Sequence, residues 1–528
     1  MRVLVVDAIA PEGLAYLRER GFEVDELRKP TREELHAALP AYEALITRSG
    51  TAVTGELLSH APKLRIVGRA GVGVDNVDVD ACSRRGIVVV NAPYGNVVSA
   101  AEHTVGMLLA LVRRIPEAHQ RLKTLEWSRA IYGSELFRKT IGIVGLGKVG
   151  SRVAARLRGF EAEVLVYDPF IGEQRARDYG ARLVGNFKSL VRAVDVITFH
   201  VPLTEETEGM LGARELALMK RGARIVNCAR GGIVHEGELL AALESGHIAG
   251  AAIDVWSEEP PASETVKRLI QHPAVVVTPH LGANSSEAQV NVAVDVAREI
   301  AAFRDGELVE HAVNIPVGDP AAVAELRPFV ALGERLGLFS VQLEPGALER
   351  VDVRVAGAIA EGDTELLARA VLAGLLRPVM AGPVNLVNAR LIARERGIEV
   401  VVEREDDTGG YKSLLTLCTR TSEGRKVIAG TVFDGQPRIV RMRDLDMEFT
   451  PVGYILVLAY EDRPGVVGKI GSLLGRHNVN IASMQVGRRS KRGRAIVVLT
   501  LDEDLTAEQL DELRAAIEAD FVRLVRLP

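Results

Sequence analysis

The chain predicts an α/β protein of two doubly wound parallel sheets, followed by an α+β segment and a βαββαβ unit. Three observations predict it. Short β-branched runs alternate with amphipathic stretches from residue 1 to residue 280, the pattern of parallel strands joined by crossover helices. One strand-to-helix junction among them, "GIVGLGKVGSRVAARL", has the spacing G-x-G-x-x-G. The tail from residue 451 reads strand, helix, strand, strand, helix, strand, an order that is ferredoxin-like.

The elements follow in order. "VLVVDA", "EALITRS", "KLRIVGRAG" and "GIVVVNAP" are strand candidates of a first, flavodoxin-like sheet. "SAAEHTVGMLLALVRRI" is a long helix, and Ser99 with Glu102 three residues on forms a capping box at its start. A second series runs through "KTIGIVGLGKVG", "AEVLVYD", "VDVITFHVP", "ARIVNCARG", "IAGAAIDV" and "AVVVTPHLG", six strand candidates that make a complete dinucleotide-binding (Rossmann) domain. The helix "NSSEAQVNVAVDVAREIAAFRDG" then carries the chain back to the first sheet. The expected division is residues 1–98 with 283–317, residues 99–282, residues 318–450 and residues 451–528. Residues 318–450 carry no obvious chemistry.

Bulk properties narrow the function. A length of 528 residues suits roughly three or four domains. A formal charge of -5 and a pI near 6.2 speak against a binder of nucleic acid or anionic membrane. The basic run "RRSKRGR" at 488–494 has no aromatic company and reads as a solvated hairpin turn. Cys82, Cys228 and Cys418 lie far apart with no CxxC, so neither a disulfide framework nor a cysteine metal site is expected. "VGMLLALV" is too short to cross a bilayer, and "MRVLVVDAIAPEG" enters a strand with no hydrophobic leader. A cytoplasmic protein is expected.

The glycine motif places Gly145 at a tight turn, Gly147 where backbone can approach a pyrophosphate, and Gly150 where helix and strand pack closely. Asp168 ends the next strand, about 20 residues on, where a carboxylate holds a ribose 2′-hydroxyl and repels a 2′-phosphate. NAD is therefore the expected cofactor. Ligands of such sheets bind at the carboxyl ends of strands. Arg230, Glu259 and His280 all fall at such ends. An arginine grips a carboxylate with two parallel hydrogen bonds. A histidine can take a hydroxyl proton while hydride leaves the carbon, and a carboxylate beside it favours the imidazolium. On these residues alone His200 rivals His280 and Glu258 rivals Glu259, while His103 reads as a packed helix residue.

The stretches "RAGVGVDNVD", "NAPYGNVVSAAEHT", "GIVGLGKVG", "VITFHVPLTEET", "NCARGGIV", "DVWSEEP" and "TPHLGANSSEAQ" resemble the D-isomer-specific 2-hydroxyacid dehydrogenase family. The likeness is to its long form, with an intervening domain and a C-terminal ACT domain. The resemblance implies that Arg230 binds substrate, that His280 is the acid/base, and that Glu259 pairs with it. It implies cofactor contacts at Gly145, Gly147, Lys148, Val149, Gly150, Asp168, Cys228, Ala229, Arg230, Asp254, His280, Gly282 and Ala283. Arg48 and Arg69, following strands of the first sheet, become candidates for the substrate phosphate, beside Arg230 and His280. Trp127 to Arg129 resembles a segment through which a neighbouring subunit contributes, although it is one residue shorter than the usual pattern. Val72 stands where some relatives carry a threonine.

The implied reaction is NAD-linked oxidation of 3-phospho-D-glycerate to 3-phosphooxypyruvate by a homo-oligomer, a tetramer or dimer, with no metal. "YEDRPGVVGKIGSLL" and "NVNIASMQV" resemble an ACT domain, which implies L-serine as effector at Tyr460, Asp462 and Asn480. Two other readings stand beside this one. The first is a D-2-hydroxyacid dehydrogenase of the glyoxylate or 2-hydroxyglutarate type; the second is an NAD-sensing binding protein that needs no turnover. The cleft arginines argue against the first and the tail against the second.

Overall fold

The computed structural model describes residues 1–315, 320–344, 346–422, 424–490 and 492–528. The expected boundary between residues 317 and 318, and Lys491 of the basic run, lie outside them. The first sheet has five parallel strands in the order Glu23–Glu26, Arg2–Val5, Ala44–Thr47, Ile66–Arg69, Val88–Asn91. This is the flavodoxin-like order. The helix Ser286–Arg304 packs on this sheet through Val292, Val296 and Ile300. Beyond that helix the chain stitches onto the edge strand. Asn314 accepts from the Val89 amide at 3.0 Å and donates to the Ile87 carbonyl at 2.9 Å.

The second sheet is parallel and has seven strands, from Val275–Val277 through Ile248–Ile253, Ala223–Asn227, Val196–Phe199, Thr140–Val144 and Glu163–Tyr167 to Arg182–Leu183. The seventh strand, Arg182–Leu183, has only two residues and leaves no apolar run to read. Strand order reverses between Thr140–Val144 and Val196–Phe199, the switch point at which ligands bind in such sheets.

The helix joining the two sheets corrects one expectation. It spans Val97–Val112 with Asn96 at its cap and no side-chain capping bond. Ser99 therefore lies inside the first turn, with its hydroxyl on the Gly282 carbonyl, and Glu102 pairs with Arg156 instead. Burial of Val97 extends the helix past the local capping signal.

Residues 348–449 form a mixed six-stranded sheet in which Glu399–Glu405 runs parallel to Leu348–Gly357 and the other pairs are antiparallel. The tail sheet is antiparallel, ordered Ile481–Arg488, Arg494–Leu501, Gly453–Glu461, Phe521–Leu527. Its strands alternate. Leu456, Leu458 and Tyr460 face the tail's own helices, whereas Ile455, Val457 and Ala459 join the apolar cluster that also holds Leu336, Phe339 and Leu343 of the helix Pro320–Leu343. Gln342 of that helix makes two hydrogen bonds with the Arg526 backbone, at 2.9 and 3.0 Å. Among the described residues no helix is long and apolar enough to cross a membrane.

Candidate active site

The strand Thr140–Val144 ends at Gly145, whose φ of +87° suits glycine and where a Cβ would lie 2.7 Å from Val201 Cγ1. A Cβ on Gly150 would lie 2.1 Å from the Gly145 carbonyl oxygen, so helix and strand close only over glycine. Gly147 is different. It caps the helix Lys148–Leu157 without a side-chain bond, and nothing lies within 4 Å of an added Cβ. Free amides at the positive end of the helix dipole thus face open space, which fits a pyrophosphate. Asp168 stands beside the turn: its carboxylate accepts from the Leu146 amide at 2.8 Å and the Phe170 amide at 2.9 Å. The Lys148 ammonium lies 3.8 Å from the centre of the Tyr94 ring, and burial lowers its pKa. Beyond the turn a cavity of about 270 Å³ is lined by Val149, Cys228, Ala229, Asp254, Gly282 and Ala283, among others. Burial pushes the Cys228 thiol up to about 12, so it lines the cavity as a neutral group.

His280 and Arg230 line this same cavity. His280 Nδ1 lies 2.7 Å from Glu259 Oε2, while Glu259 Oε1 accepts from the Trp256 amide at 3.0 Å. The hydrogen bond to Glu259 raises the His280 pKa against the opposing effect of burial. Burial would raise the Glu259 pKa, but bonds from His280 and Trp256 prevail and lower it. The pair therefore favours imidazolium beside carboxylate, with Nε2 left for a substrate. Asp254 is fully buried and both its oxygens are taken by the loop that carries His280, so its geometry is that of a clamp on the cavity wall.

His280 also lines a second cavity, of about 580 Å³, whose opposite wall includes Asp7, Arg48, Arg69 and Asp75. The two cavities share Asn96, His280 and Ala283 and form one cleft between the parallel sheets. Arg230 reaches across it, with Nε 3.3 Å from Asp75. Arg69 Nε is buried without a hydrogen-bond partner, and burial, then the nearby Arg230, lowers the Arg69 pKa. A buried cation with an unpaired N–H is costly unless an anion occupies the space before it. Arg48 Nη1 donates to the Ala8 carbonyl at 3.2 Å.

The rival residues part from the cleft chemistry. His200 lines the nucleotide-side cavity, but its ring bonds Thr198, at 3.1 Å, and burial holds its pKa down to about 3. Glu258 accepts from the Ala262 and Ser263 amides and turns away from His280. Trp127 and Arg129 line neither cavity. Val72 lines the nucleotide side.

Sequence reading missed Asp75 and Asn96. Both lie in quoted stretches, Asp75 in "RAGVGVDNVD" and Asn96 in "NAPYGNVVSAAEHT", but no local spacing marks either as facing the cleft. In the tail, Tyr460 is 1% exposed and packs with the tail's own apolar cluster. Asp462 pairs with Arg488, and Asn480 Nδ2 donates to Asp502 at 2.6 Å.

Residues 105–282 match the family model of the D-isomer specific 2-hydroxyacid dehydrogenase NAD binding domain. Residues 325–443 match that of the D-3-phosphoglycerate dehydrogenase intervening domain, and residues 454–518 that of the ACT domain. The chain is 41% identical over 530 residues to a D-3-phosphoglycerate dehydrogenase of Archaeoglobus fulgidus, covering 99% of this chain and 100% of that one. It is 40% identical over 533 residues to that of Bacillus subtilis, covering 100% of both. Among solved structures, the NAD-dependent formate dehydrogenase of Staphylococcus aureus in complex with NAD superposes with a TM-score of 0.52 at 34% identity, over 58% of this chain and 97% of that one. With three domain models in series and full-length relatives at this identity, the chain belongs to the D-3-phosphoglycerate dehydrogenases, within the D-isomer-specific 2-hydroxyacid dehydrogenase family.

Proposed function

We propose that the cleft oxidises 3-phospho-D-glycerate to 3-phosphooxypyruvate with NAD. One observation carries the reading: His280, paired with Glu259, lines both a cavity that reaches Val149, in the helix behind the glycine turn, and a cavity walled by Arg48 and Arg69. In this reading Gly145, Gly147, Lys148, Val149 and Gly150 receive the pyrophosphate and Asp168 the adenosine ribose. Cys228, Ala229, Asp254, Gly282 and Ala283 wall the nicotinamide side. NAD, when bound, supplies the acceptor for the hydride. Arg230 grips the substrate carboxylate, and Arg48 and Arg69 take the phosphate. His280 Nε2 takes the hydroxyl proton, and Glu259 stabilises the imidazolium that forms.

Comparing substrates tests the assignment. kcat/KM for 3-phosphoglycerate should exceed that for unphosphorylated D-glycerate or 2-hydroxyglutarate by about 10²-fold or more, since two charged contacts to phosphate are lost. A preference for the plain acid would sink it.

Residues 1–98 with 283–317 then form the substrate domain and residues 99–282 the nucleotide domain, with residues 318–450 and 451–528 regulatory. Leu125, Trp127 and Tyr132 are 90%, 76% and 81% exposed, which supports burial of that segment in a homo-oligomer, a dimer or tetramer. The ACT domain supports L-serine as effector, with Tyr460, Asp462 and Asn480 its contacts. Three free cysteines, two of them buried, fit a reducing cytoplasm.

A further inference from the structure

The helix Val97–Val112 leaves the crossing between the two parallel-sheet domains with two polar side chains, Ser99 and His103, on one face. Their i, i+4 spacing puts them one turn apart. Both reach the stretch Thr278–Gly282, at opposite ends. The Ser99 hydroxyl donates to the Gly282 carbonyl at 2.8 Å. His103 Nε2 lies 3.2 Å from Thr278 Oγ1 and 3.2 Å from Asp254 Oδ1. Asp254 completes the grip: its carboxylate accepts from Thr278 Oγ1 at 2.5 Å, the Leu281 amide at 2.7 Å and the Gly282 amide at 2.9 Å. Its own carbonyl accepts from the His280 amide at 2.8 Å.

These bonds hold His280 at a φ of +56°, a conformation that side-chain-bearing residues rarely adopt unaided. In this conformation the ring meets Glu259. A carboxylate as buried as Asp254 needs every donor it has, and His103 is the one that comes from outside the loop. Resting on the reading of His280 as proton acceptor, we propose that Ser99 and His103 are positioning residues. The helix joining the domains holds both ends of the loop, fixes the His280–Glu259 contact, and so ties the proton-transfer step to the domain crossing.

The charged groups around His280 are Glu259, Asp254 and Arg230 on its own side and Asp7, Arg48, Arg69 and Asp75 across the cleft. None of these is altered in the test; His103 itself bonds Asp254, so the midpoint is read against His103→Gln, which removes the titratable ring and keeps a donor there. Full-length Ser99→Ala, His103→Leu, His103→Gln and the double Ser99→Ala/His103→Leu variants are compared. The readouts are kcat and KM with 3-phosphoglycerate and NAD, and the His280 ring titration by NMR, assigned through its loss in His280→Gln.

The expected result for His103→Leu is a kcat lower by about tenfold, short of the loss of the base outright, with KM changed less than about threefold. Its His280 midpoint falls towards the ordinary histidine value. His103→Gln, which keeps a donor for Asp254, restores both. The double variant loses more than the product of the single losses, because either grip alone still holds part of the loop. A folded His103→Leu enzyme with the parental kcat and midpoint overturns the proposal, as does a Gln variant no better than Leu. If His103→Leu does not fold, Ser99→Ala decides: a lowered midpoint supports the grip and a parental one removes it. Should the parent fail to oxidise 3-phosphoglycerate, the activity reading falls, while the midpoint still decides the positioning.

Discussion

A His280→Ala enzyme is expected to lose about 10²–10⁴-fold in kcat for NADH formation while binding NAD nearly as before, since the ring serves proton transfer. Stopped-flow or steady-state NADH absorbance measures it, and turnover within a few-fold of the parent would refute the assignment. The pH profile carries a second check. Oxidation requires the neutral imidazole, and the bond to Glu259 raises the His280 pKa above its ordinary value of 6.5. Activity therefore climbs with pH through an inflection above 6.5, and Glu259→Gln should move that inflection down. The same linkage acts on stability. Because the folded His280 pKa is raised, its pairing stabilises fully below the unfolded value and the stabilisation is lost as pH rises through the folded one. For Glu259, whose folded pKa is lowered, the stabilisation is present above the unfolded value and lost as pH falls through the folded one.

Arg230→Gln should cost kcat/KM for 3-phosphoglycerate about 10²–10⁴-fold, from two charge-assisted bonds of about 1.5–3 kcal/mol each. Arg230→Lys restores the charge but not the planar fork, so most of that loss should remain. NAD binding, followed by fluorescence, should hold within a few-fold. An unchanged kcat/KM would remove Arg230 from the substrate grip and leave its 3.3 Å contact with Asp75 as its whole role.

The parts of this site that local geometry dictates were legible in the residues. A turn that bends at Gly145 and packs at Gly150 has few other spellings, so three glycines and a trailing carboxylate mark it. Strand ends could be read likewise, which put forward Arg230, Glu259 and His280 but left His200 and Glu258 as rivals until the family resemblance chose between them. What escaped depends on contacts distant in sequence. Ser99 looks like a cap because a serine followed by Glu102 satisfies the local rule, yet Gly282 takes its hydroxyl. His103 looks merely packed because Asp254 lies 151 positions away. Glu258 and Glu259 are equivalent by composition, and only the path of the chain at Trp256 separates them.

The seam between the tail sheet and the helix Pro320–Leu343 has a bearing on how the molecule can be divided. Cutting the polypeptide near residue 450 would strip the cover from Leu336, Phe339 and Leu343 and leave Ile455, Val457, Ile496 and Val525 wet on the released piece. The released piece would keep the interior built on its own helices but expose the whole opposite face of its sheet, so each side of the seam is expected to lend stability to the other, and a ligand that stiffens the tail would be felt at the helix.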